Sequence, residues 1–278
     1  MNSTADDVAA APDDQKGPGT GLAQDRPAGR VDAVIPLGSF CQVGASLWLY
    51  ELKAINSPFD NFGFKTWHAV IPILRTRFAD FWRLENMAIG APVQELSRFL
   101  DIRAVYKVYC NRYNLVSNHS FLVEENTPER LLTYPRFRAG LRRLEQAFLG
   151  QCRTYERIRF VCKAMNWPDP TETEVLEAQV LDLLAVLREL RQGKPFTLAL
   201  AVPEKRFARL RAWVLCEQIP DLHIACWRTV WNDAKHQEWE DLLCDVSVPD
   251  DHELYCRVYC DLLGIPEDQV SVPAINNF

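Results

Sequence analysis

The sequence predicts an α/β protein built on a doubly wound, mostly parallel sheet with helices on both faces, and three observations carry that prediction. The first is the rhythm of the second half. Apolar runs at Ile158 to Met165, Pro195 to Val202 and Leu222 to Trp227 alternate with helical periodicity over Thr171 to Gln192 and Glu204 to Glu217. The second is that these runs are apolar nearly throughout, the pattern of strands buried on both faces. The third is that the same unit opens the folded chain. Val31 to Leu37 is a branched apolar run, Gly38-Ser39 is a turn signal, and Cys41 to Leu52 has helical apolar spacing.

Composition sets the outer limits. A chain of 278 residues with a 48% hydrophobic fraction, 8 Trp and 14 Phe can bury a large core. The net charge of -6 is spread along the chain, which argues against nucleic acid and anionic membranes as main partners. Met1 to Arg30 is a polar, acidic zone without a large aromatic residue, expected to be disordered because it buries too little apolar surface to offset chain entropy. Asp6, Asp7, Asp13 and Asp14 interrupt any apolar core of the kind an export signal needs. No run approaches the ~18 uncharged apolar residues of a membrane span. Nine cysteines at irregular spacing form no CxxC pair, so a reduced, cytoplasmic protein is expected, with residues 31–278 as a single α/β domain of catalytic type.

Between the opening unit and the second half, Asn56 to Phe62 reads as a turn flanked by aromatic residues around Asp60. Thr66 to Trp82 has the spacing of an amphipathic helix with Thr66 as a candidate N-cap, and a kink or an early break is expected at Pro72. Ile102 to Tyr113 favours a strand and Asn114 to Phe121 holds a second short one. Pro128 to Phe148 reads as a basic amphipathic helix with Thr127 as N-cap. Its five arginines from Arg130 to Arg143 make a solvated face, or else a site for phosphate or an acidic partner. Gln237 to Cys244 and His252 to Leu263 complete the helices.

The chemistry-bearing positions cluster early. Cys41 falls where a buried strand hands over to a helix, whose unpaired N–H groups and partial positive charge lower a thiol pKa and can hold a developing oxyanion. A small core thiol is the competing reading. Asp60 is a site carboxylate or the cap of its own turn. His119, in Ser117-Asn118-His119-Ser120-Phe121, is a base at a strand end or a hydrogen-bonded structural histidine. His252, Cys256 and Cys260 recur every four residues, but the stripe drifts by ~40° per step and has no adjacent fourth ligand, so no metal is expected. GxGxxG, Walker, GxSxG and HExxH patterns are absent, and no cofactor is implied.

Leu37-Gly38-Ser39-Phe40-Cys41-Gln42, then Pro58-Phe59-Asp60, then His119-Ser120-Phe121, together resemble the bacterial putative papain-like cysteine peptidase family, a domain-of-unknown-function family. The resemblance spans roughly Val31 to Val202 and departs where Asn61 stands in place of the family's usual Trp. It implies a thiol hydrolase with Cys41 as nucleophile, His119 as general base and Asp60 orienting the imidazole. Gln42, Ser39 and Asn118 are the candidates for oxyanion or substrate binding, and a peptide or small acyl group is the substrate class. The family label borrows a papain-like fold, whereas the strand and helix rhythm predicts the parallel α/β sheet. Two further functions stay open: an esterase-like or acyl-transfer enzyme on a flavodoxin-like sheet, and a binding module in which the Cys, Asp and His are structural.

Overall fold

The computed structural model describes residues 29–38, 43–44, 46–47, 52, 56–96, 102–166, 173–227, 239, 242–243 and 246–247. Its centre is a four-stranded parallel sheet in the order β2 (Ala33–Pro36), β7 (Ile158–Lys163), β8 (Phe196–Pro203) and β9 (Leu222–Trp227). Sequence neighbours are spatial neighbours in the second half. Helix α3 (Glu177–Arg191) joins β7 to β8, and α4 (Glu204–Glu217) joins β8 to β9.

Side chains alternate across each strand, and the two sets enter different cores. Ile35, Phe160, Cys162, Leu198, Leu200 and Val202 face a large cluster with Leu141, Phe148, Val180, Leu187 and Leu210 of the three long helices. Val34, Val161, Ala199, Ala201, Ala225 and Trp227 face a second cluster with Val43, Leu47, Trp239, Leu242 and Leu243. Residues 43–44, 46–47, 239 and 242–243 are helical, so helical chain covers both faces, as the apolar runs predict.

The stretch between β2 and β7 holds what the strand rhythm did not show. A second four-stranded sheet, antiparallel, runs in the order β3 (Phe62–Phe64), β6 (Leu115–Ser117), β5 (Ile102–Cys110) and β4 (Met87–Leu96). Two strand segments were expected here. β4 escapes notice because Gly90 and Pro92 interrupt its alternation, and the ladder shifts register between Ile89 and Pro92.

Three helices differ from their predicted bounds, α3 because it begins at Glu177 rather than Thr171. The long one, α2, is Tyr134–Thr154 rather than Pro128 to Phe148, with Pro135 in its first turn. Pro135 has no N–H for an interior helix bond and its ring would clash with the preceding turn, so it can only open the helix. Thr127 Oγ1 does accept the Arg130 N–H at 3.1 Å, but Thr127 N–H pairs with Arg130 O at 3.0 Å and closes a local turn instead. Upstream, the chain from Thr66 forms a 3₁₀ turn at Trp67–Ala69 and the short helix α1 (Val70–Arg75). Pro72 sits in its first turn, and the break comes at Thr76, where Arg77 and Phe78 take left-handed φ values of 49° and 64°.

At the start, β1 (Gly29–Arg30) pairs in parallel with β10 (Val246–Ser247), so the last two residues of the segment expected to be disordered belong to a strand. Residues 1–28 and the His252, Cys256 and Cys260 stripe lie outside the described residues. Among the described residues, no helix is long and apolar enough to cross a membrane.

Candidate active site at the carboxyl end of strand β2

Ligands of open parallel sheets gather beyond the carboxyl ends of the strands. β2 ends there in a fixed way. Leu37 N–H donates to Val161 O at 2.8 Å, continuing the parallel ladder, and Gly38 then turns with φ +84°. A Cβ on Gly38 would meet Phe64 Cε2 at 2.6 Å and Phe59 Cβ at 2.9 Å. Glycine is therefore required twice over, for its dihedral and for the approach of two aromatic side chains.

Those aromatic residues belong to the segment that carries Asp60. Phe59 is fully buried, with ring centroids of Phe64, Phe78, Phe81 and Phe148 between 5.5 and 6.0 Å away. Ser57 ties this turn to β2, because its Oγ donates to Pro36 O at 2.8 Å and accepts the Phe59 N–H at 3.3 Å. Asp60 closes the turn from the other side. Its N–H donates to Ser57 O at 3.2 Å and its Oδ2 accepts the Ser57 N–H at 2.7 Å. The carboxylate is buried at 6% exposure, so the capping role considered from the sequence is real. It also fixes Asp60 at the end of the strand that leads to Cys41.

His119 arrives from the neighbouring ladder. Phe62 of β3 pairs with Ser117 of β6. Asp60 lies two residues before the first and His119 two residues after the second, so the two chains leave the same end of the ladder. His119 is exposed, Ser117 Oγ donates to Ser120 Oγ at 2.8 Å, and Asn118 Oδ1 is buried with no hydrogen-bond partner among the described residues.

Ser39, Cys41 and Gln42 lie outside the described residues. Only Ser39 and Phe40 separate Gly38 from Cys41 in the sequence, three Cα steps that span at most ~11 Å. Helical residues resume at Val43. The other thiols near the core are poor nucleophiles. Burial pushes Cys152 and Cys162 up to about 12 and also raises Cys110.

Sequence reasoning gave Ser57 no role, although a serine two residues before a buried Phe in a turn is the signal for such a tether. It also passed over Lys163, the last residue of β7 and 2% exposed. A lysine closing a buried strand whose other residues, Arg159 apart, are apolar was the available clue.

A buried strand end, a required glycine and an adjoining acid turn define an α/β protein with a candidate site at the sheet's carboxyl rim. The chain belongs to the family described as Putative papain-like cysteine peptidase (DUF1796), whose profile matches residues 32–206. No curated protein and no solved structure matches the chain.

Proposed function

We propose that the protein is a thiol hydrolase of the peptidase type, with Cys41 as nucleophile, His119 as general base and Asp60 as the carboxylate that orients the imidazole. The observation that carries this reading is the tether of the Asp60 turn to Pro36, which ties the acid to the strand leading to Cys41. In the proposed cycle the Cys41 thiolate attacks the acyl carbon, and the His119 imidazolium gives its proton to the leaving amine as the C–N bond breaks. A water deprotonated by His119 then cleaves the thioester, which returns the thiol and releases the acid. Gln42 and Ser39 supply oxyanion donors in this reading, and the unpaired Asn118 Oδ1 suits the N–H of a peptide better than an ester. A reduced, cytoplasmic setting agrees with free Cys110, Cys152, Cys162, Cys216 and Cys226.

The acyl-transfer alternative draws support from the parallel sheet, which is a different scaffold from the one the family label names. A matched panel of peptides and esters separates the two, with turnover of esters alone favouring the alternative. The decisive measurement for either is the alkylation rate of Cys41 by iodoacetamide at pH 6, read by peptide mass spectrometry against exposed Cys216. A Cys41 no faster than Cys216 overturns the catalytic reading and leaves the binding module.

A further inference from the structure

We propose that His68 is a substrate-binding residue at the same rim, its Nε2–H donating to a main-chain carbonyl oxygen of a bound peptide. The inference rests on the peptidase reading above and names the group of the substrate that the rim holds. The chain that carries His68 crosses the ends of two parallel strands. Phe64 packs on Gly38 past the end of β2, and further along Trp67 N–H donates to Asn166 Oδ1 at 2.9 Å, beyond the end of β7. Trp67 is fully buried, and its Nε1–H donates to Glu174 O at 3.1 Å. Asn166 is itself held, because its N–H donates to Thr173 Oγ1 at 2.8 Å. These bonds fix the 3₁₀ turn Trp67–Ala69, in which His68 is the central residue. His68 is thus presented from a rigid base at the carboxyl ends of the strands, where ligands of open parallel sheets bind.

The imidazole is set in one tautomer by a relay of bonds from α3. Gln179, in the first turn of that helix, accepts the Leu176 N–H on Oε1 at 3.4 Å, while its own backbone N–H donates to Leu176 O at 3.1 Å. With Oε1 committed, the amide Nε2 faces His68 Nδ1 at 3.2 Å. An amide nitrogen donates and does not accept, so Nδ1 is the acceptor and the ring proton sits on Nε2. Protonating Nδ1 would set donor against donor, and burial also lowers the His68 pKa. The ring of Trp67 stands at 90° to the imidazole, with centroids 6.0 Å apart, and adds no charge. His68 is half-buried, and Nε2 makes no hydrogen bond among the described residues. What reaches the rim is an uncharged N–H donor. Such a donor suits a peptide carbonyl better than a carboxylate or phosphate, since an anion leaving water needs a cation to replace its hydration.

The test uses the full chain with nitrogen-labelled histidine and a fluorogenic peptide that the parent cleaves, chosen from a library of random tetrapeptide substrates. Long-range proton–nitrogen spectra, with the His68 signals assigned by their loss in His68→Gln, should show a neutral ring with its proton on Nε2 at pH 7. A proton on Nδ1, or a charged ring, overturns the inference. His68→Phe and His68→Asn should each raise KM about fivefold with kcat within about twofold, the loss of one neutral hydrogen bond. His68→Gln, whose amide N–H reaches the place of Nε2–H, should stay near the parent. Near-UV circular dichroism checks the fold, and two variants of different shape guard against one that fails to fold. Folded His68→Phe and His68→Asn with parental KM overturn the role of His68 and leave the proposed triad standing. A parent that cleaves no peptide of the library overturns the peptidase reading, and this inference with it.

Discussion

Ser57 and Gly38 show how much of the candidate site hangs on two small residues. Ser57 links three backbone or side-chain groups at once, and its hydroxyl is the link between the acid turn and β2. Ser57→Ala removes that hydroxyl and leaves the Phe59 N–H without its acceptor, which should cost about 1–2 kcal/mol. Urea unfolding should report that loss, and the rate of Cys41-dependent turnover should fall as the Asp60 turn loosens. Gly38→Ala adds left-handed strain and a contact of 2.6 Å with a ring packed on all sides. A cost of about 2–4 kcal/mol in the same assay is expected, since overpacking and the dihedral penalty add. Within the proposed triad, Cys41→Ala should abolish turnover and His119→Ala should nearly do so. Asp60→Asn should be milder for chemistry, but here it also weakens an acceptor for the Ser57 N–H, so part of its effect should appear as lost stability.

Helices and strands were legible to different degrees, and the differences have local causes. α4 and β9 stand at the bounds their periodicity gave, Glu204–Glu217 and Leu222–Trp227, because each is a continuous unit without proline or glycine inside. α2 was displaced because Pro135 fixes its first turn while the arginine-rich pattern extends on both sides. The antiparallel sheet was only half visible, since β3 is three residues long and lies inside a turn-rich stretch. For the site, the strand, turn and acid could be read from local patterns, whereas the Ser57 tether to Pro36 and the contact of Lys163 with Trp227 join residues far apart in the chain.

α2 also carries a titration that its sequence did not announce. Glu145 is hydrogen-bonded to Arg138 at 2.7 and 3.2 Å, with side chains 10% and 12% exposed respectively. Desolvation nonetheless outweighs the arginine and pushes the Glu145 carboxyl up to about 7 from 4.5. Because the folded state then holds the proton more tightly than the unfolded chain, this group stabilises fully below about pH 4.5. Its contribution is lost as pH rises towards 7. Glu145→Gln should flatten that part of the pH dependence. Melting temperatures of the two proteins between pH 5 and pH 7.5 check it, and parallel curves would show that Glu145 does not titrate in this window.

On the scale of the whole molecule, the family match and the folding unit do not share an edge. The match ends at residue 206, inside the first turn of α4, while the parallel sheet continues to β9 and its second face is completed by Trp227, Trp239, Leu242 and Leu243. A chain cut after Arg206 would lose β9, and with it the neighbour of β8 that pairs Leu198 with Leu222 through Pro203 with Trp227. It would also expose Val34, Val161, Ala199 and Ala201 on one side of the sheet, and leave Lys163 without its ring. An open apolar face beside β8, which becomes a newly exposed edge paired only with β7, is a template for aggregation. The cut chain is therefore expected to keep helical far-UV signal, lose near-UV aromatic signal and bind a hydrophobic dye. The full chain should show a single cooperative transition. If the chain cut after Arg206 instead melted cooperatively with intact near-UV signal, the second face would need no cover from residues 207–278, and the parallel sheet would be complete at three strands.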